Sequence, residues 1–67
     1  MAIAKVIEVI AESETSWDDA AKAAVVEAAH SIRGIKHVYV KNLSAEVAGD
    51  KIVKYRLNAN ITFVVED

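Results

Sequence analysis

Residues 54–63, KYRLNANITF, alternate without a slip. Tyr55, Leu57, Ala59, Ile61 and Phe63 fall on one side, and Lys54, Arg56, Asn58, Asn60 and Thr62 on the other. A period of two predicts a half-buried strand, here over 51–65. Residues 3–10, IAKVIEVI, are rich in β-branched side chains and also read as a strand. Lys5 and Glu8 fall on opposite faces of it, as in an edge strand or one covered on both sides. AESETS breaks that pattern, and the period then lengthens. Trp17, Ala20, Ala21, Ala24, Val25, Ala28 and Ile32 follow helical spacing. SWDD gives the start: Ser16 as N-cap, with Asp18 and Asp19 in the first turn where the helix dipole favours negative charge. Gly34 after Arg33 is the expected C-cap. A strand over 35–47 follows, and AGD at 48–50 is a hairpin turn.

The predicted order is strand, helix, strand, strand, an α+β unit of two layers in which one helix covers one face of a three-stranded sheet. Trp17, Val25 and Ile32 would meet Tyr55, Leu57, Ile61 and Phe63. The helix stripe is mostly alanine, which lets the helix lie close to the sheet. Ala23 and Val26 widen its apolar surface and suggest a second contact. The other sheet face is polar and, on the third strand, mostly uncharged. Mid-strand Asn58 and Asn60 point to specific hydrogen bonding, as across a subunit boundary. A solvated face fits the same residues.

Composition sharpens this picture. Sixty-seven residues, 1–67, make one domain. A chain this short buries only about 60% of the surface it exposes when unfolded, so small domains commonly need a staple. There is no cysteine, which removes disulfides and thiolate metal sites, while 54% of the residues are apolar. His30 and His37 lie in no structural-zinc pattern. That leaves oligomerisation or a monomer of modest stability, and the high apolar content favours burial between subunits. The net charge of −2 comes without a basic run, which argues against nucleic acid and anionic membranes as partners. No apolar run reaches the ~20 residues of a membrane helix. MAIAKVIEV lacks the basic start and unbroken apolar core of a secretory leader, so the expected location is cytoplasmic.

The residues show no catalytic constellation. Ser16 reads as a cap rather than a nucleophile, and Asp18 and Asp19 diverge on a helix. Glu12, Glu14, Asp18 and Asp19 gather near the helix start; dipole and solubility account for them, and no EF-hand loop is present. His30 reads as structural or interfacial, and Trp17 as a core or staple residue rather than a stacking platform. His37 and Arg56 lie near the starts of the second and third strands. Both read as ordinary exposed side chains, unless several chains bring them into one pocket, where the planar Arg56 suits phosphate, carboxylate or a ring carbonyl.

The opening AKVIEVIAES, the helix start TSWDDAAKAAV and the closing VKYRLNANITFVV, in that order and at this length, resemble the dodecins. The resemblance covers almost the whole chain. It implies a β-α-β-β fold whose three-stranded antiparallel sheet wraps around one helix. It implies a non-enzymatic homo-dodecamer, a hollow shell that holds flavin (riboflavin or FMN) at subunit contacts and stores it. The polar strand face then looks onto neighbouring chains or the interior. His37 matches the position of the tryptophan on which flavin-binding members stack the ring. Arg56 matches their ring-binding glutamine, and Glu46 matches a glutamate near the site in some members. Base–aromatic stacking is worth about 1–3 kcal/mol, so histidine here implies flavin binding that is weak or lost. The TSW helix start without the stacking tryptophan is similar to a branch that includes a calcium dodecin. Calcium is therefore the alternative ligand, and a structural or interaction oligomer the third reading.

Overall fold

The computed structural model describes residues 2–66. It contains β1 (Ala2–Ser13), α1 (Trp17–Ala29), β2 (Ile35–Ala48) and β3 (Lys51–Glu66). All three strands form one antiparallel sheet in the order β1-β3-β2, so the alternating strand is the central one. The expected strand–helix–strand–strand order and two-layer α+β class hold.

Register fixes the two faces. Ile7, Val9 and Ala11 of β1 lie opposite Ile61, Ala59 and Leu57, which in turn oppose Val38, Val40 and Leu43 of β2. This face carries the helix. Leu57, Ala59 and Ile61 are fully buried, as is Ala20 of α1, and Val9, Ala11, Trp17 and Ala21 pack around Ala20, Leu57 and Ala59. Alanine on both sides of the contact brings helix and sheet together without a protruding knob. The helical stripe read from the sequence is the half-buried side, with Val25 and Ile32 at its margin, while Asp18, Lys22, Glu27 and Arg33 are exposed.

Two boundaries differ from expectation. β1 runs on to Ser13, because pairing with β3 extends through Glu12–Arg56 and Ser13–Tyr55. Tertiary pairing outweighs the weak strand preference of AES. The helix ends at Ala29 with His30 as C-cap, not at Arg33 and Gly34. The N–H groups of Ser31 and Ile32 both donate to the Ala28 carbonyl, closing the last turn early. Gly34 works elsewhere: at φ +80 it turns the chain into β2, and its carbonyl accepts the Val64 N–H at 3.0 Å. A Cβ there would lie 2.6 Å from the Val64 carbonyl oxygen. Gly34→Ala should therefore cost about 1–3 kcal/mol through backbone strain and a backbone clash together, read as a lower Tm. An unchanged Tm would contradict this close approach.

The N-terminus of the helix is as expected. Ser16 accepts the Asp19 N–H at 3.0 Å. The neighbouring Ser13, buried, accepts from Thr15 and Ser16 N–H and donates to Asp19 at 2.7 Å. The hairpin is a two-residue loop, Gly49–Asp50, between paired Ala48 and Lys51. Positive φ falls on Gly49 alone, at +66, as in the II′ turns that match strand twist.

A helix of 13 residues spans about 20 Å, whereas a 16-residue strand spans about 54 Å. The helix thus covers under half of a ribbon whose long axis is 52 Å. Val40, Leu43, Val47, Ile52 and Val53 lie bare along the hairpin, Val6 and Ile10 on β1, and Val26 on the helix.

Candidate functional site

The face away from the helix carries the chemistry. Val6, Glu8, Ile10 and Glu12 of β1 alternate onto it. Lys54, Arg56, Asn58, Asn60 and Thr62 follow on β3, and His37, Tyr39, Asn42, Ser44 and Glu46 on β2. β-Bulges interrupt β2 between Ile35 and His37, Val40 and Asn42, and Glu46 and Val47. They leave Lys41 free to reach across Asn60 to Glu8, Nζ to Oε2 at 2.8 Å. That hydrogen bond, then the Lys41 charge, holds the Glu8 carboxyl below its ordinary value, and the same contact raises Lys41.

At the hairpin end, Ser44, Ala45 and Glu46 of β2 and Lys54 and Arg56 of β3 line a groove of about 350 Å³. Arg56 sits between two strands, opposite Ser44 on one side and Glu12 on the other. Its Nε donates to Glu12 Oε2 at 2.7 Å, and its Nη2 pairs with the same oxygen. Lys54 Nζ lies 4.0 Å from the other oxygen, Oε1. The Arg56 hydrogen bond, with the charges of Arg56 and Lys54, holds the Glu12 carboxyl below its ordinary value. The groove's other wall is tied to the helix: the Trp17 indole N–H donates to the Ser44 carbonyl at 2.9 Å. The Trp17 ring stands edge-on to Tyr55, centroids 4.9 Å apart, an arrangement that aromatic quadrupoles favour.

Two of the three residues singled out in the sequence, Glu46 and Arg56, share this groove. His37 does not. It pairs with Thr62, six residues along β3 from Arg56, or about 20 Å within one chain. Sequence reading missed Glu12, which it grouped with the acids of the helix start. Once β1 extends to Ser13, Glu12 alternates with Glu8 and Ile10 onto the polar face, a pattern visible in VIEVIAE. Among the described residues no three His, Cys, Asp or Glu side chains converge as a metal site. His30 lies 3.6 Å from Glu27 on the exposed helix surface. No helix of the described residues is long and apolar enough to cross a membrane.

The family model for dodecins matches residues 3–66. This chain belongs to the dodecin family. Among solved structures, it is 35% identical to the calcium dodecin of Mycobacterium tuberculosis, with a TM-score of 0.80 over 91% of this chain and 87% of that one. That dodecin is described as a calcium-chelating immunodominant antigen with a novel calcium-binding site. A variant of the Thermus thermophilus dodecin superposes with a TM-score of 0.93 at 21% identity, covering 100% of both chains. The Streptomyces coelicolor dodecin gives 0.92 at 20%, covering 98% of this chain and 94% of its own. These two show the shared fold. No curated protein matches the chain.

Proposed function

We propose that this dodecin is the subunit of a non-enzymatic, homo-dodecameric shell in the cytoplasm that binds or stores a small ligand between copies. The observation that carries the reading is the imbalance of apolar surface. Among the described residues the buried hydrophobics are Ala20, Leu57, Ala59 and Ile61, whereas Ile10, Leu43, Val47, Val6 and Val26 are each more than half exposed. Bare apolar side chains spread over both faces of the sheet and the helix suit contacts with neighbouring copies, and oligomerisation is one of the ways a small domain gains the burial it lacks.

The ligand class is flavin, riboflavin or FMN, held through His37, Glu46 and Arg56. The residues fit a flavin ring loosely. Arg56 keeps guanidinium N–H groups beyond those engaged by Glu12, suited to ring carbonyls. His37 is exposed and offers a smaller face than an indole. With some 20 Å between His37 on β2 and Arg56 on β3 of one chain, a pocket using both takes them from different copies. Calcium is the second reading, favoured by the 35% identical calcium dodecin. With no three-ligand cluster among the described residues of one chain, such a site would draw carboxylates from several copies.

Sedimentation and two titrations test this. The expected result is a particle of about twelve 7.3 kDa chains, with riboflavin fluorescence quenched on binding. Absent quenching, together with melting that rises on adding calcium, selects the calcium reading. A lone folded chain overturns both.

A further inference from the structure

The groove at the hairpin end holds two cations, Lys54 and Arg56, and one carboxylate of its own, Glu46. Taken alone it would attract anions. Glu12 changes that from outside the groove wall. One of its oxygens takes both Nε and Nη2 of Arg56, and the other faces Lys54. The four charges balance. The guanidinium is also turned: its engaged edge points to β1, and its remaining N–H groups are available as donors without net charge behind them. Arginine has no acceptor, so what Arg56 offers a ligand is donors only.

We propose that Glu12 is the specificity-determining residue of this groove, neutralising Arg56 and Lys54 so that it takes an uncharged planar ring by its carbonyl edge rather than a phosphate. Glu12 is a positioning residue, because it acts through Arg56 and Lys54. The pairs are half-exposed, with Arg56 at 52% and Glu12 at 37% side-chain exposure, so the effect is one of selectivity rather than of folding. This inference rests on the ligand reading above.

The test compares riboflavin with FMN, which differ by a phosphate, in the parent chain, Glu12→Gln and Arg56→Gln, each also carrying His37→Trp to strengthen stacking. Glu12→Gln leaves the groove one positive charge in excess. The ratio of dissociation constants should move toward FMN by about fivefold, the worth of one unit charge near 4 Å in water. Arg56→Gln, which keeps Glu12 and leaves an excess negative charge, should move it the other way. A ratio that is the same in all three overturns the assignment. Should no flavin bind in any of them, the proposed ligand falls, and inorganic phosphate decides Glu12 separately. Phosphate should shift the Arg56 side-chain nitrogen resonance in Glu12→Gln and not in the parent; equal response in both overturns the proposal.

Discussion

His37→Trp tightens riboflavin by roughly fivefold to more than a hundredfold, the range expected from about 1–3 kcal/mol of ring stacking. The site can accept the larger ring: His37 is exposed on an edge strand, next to a bulge and opposite Thr62. The gain should appear in a fluorescence titration and, on the proposed reading in which the ring and Arg56 come from different copies, disappear when the particle is dissociated. An affinity that stays flat means that this position does not face the ligand, and the flavin reading then loses its main support.

Leu57→Ala should remove about 2–5 kcal/mol, the range for truncating a fully buried leucine. Leu57 is 1% exposed at the centre of β3, flanked by Ala11 and Leu43 and packed with Ala20. Ala11 beside it and Ala20 above it are small, so they cannot move in to fill the space. For a domain of this size each kcal/mol lowers Tm by about 4–8 °C, which gives a drop of roughly 8–40 °C by calorimetry. Leu43→Ala, half-exposed in one chain, should melt close to the parent if that face is free. A loss comparable to that of Leu57→Ala would mean that Leu43 is covered in the particle. A Leu57→Ala melt within a degree or two of the parent would show that the helix does not rest where the burial pattern puts it.

The central strand was the most legible part of the chain. β3 is a strand buried on one face only, and KYRLNANITF writes that directly as alternation. The helix stripe was legible for the same reason, and Ser16 announced itself through the acidic turn that follows it. The ends were harder. AES has poor strand preference and joins β1 only because Leu57, Arg56 and Tyr55 wait opposite, a long-range pairing that local pattern does not contain. Gly34 was seen as special, but its reason is the Val64 backbone, thirty residues away. Arg56 and Glu46 share a groove because they alternate onto one face near one turn, which periodicity conveys. Glu12 was obscured by its proximity in sequence to the helix acids. His37 stands apart from the other two because a site made by several copies has no signature in the spacing of one.

The sheet order carries a consequence for biosynthesis. β1 has β3 as its sheet neighbour, and their pairs are separated by 42 residues at Ser13–Tyr55 and by 64 at Ala2–Glu66. The first strand leaves the ribosome long before its neighbour exists. Contacts this distant close slowly, and an apolar strand left waiting is prone to stray association. Newly made chains should therefore fold only after β3 has emerged, and a nascent chain stalled at the hairpin turn should be open to protease along IAKVIEVI.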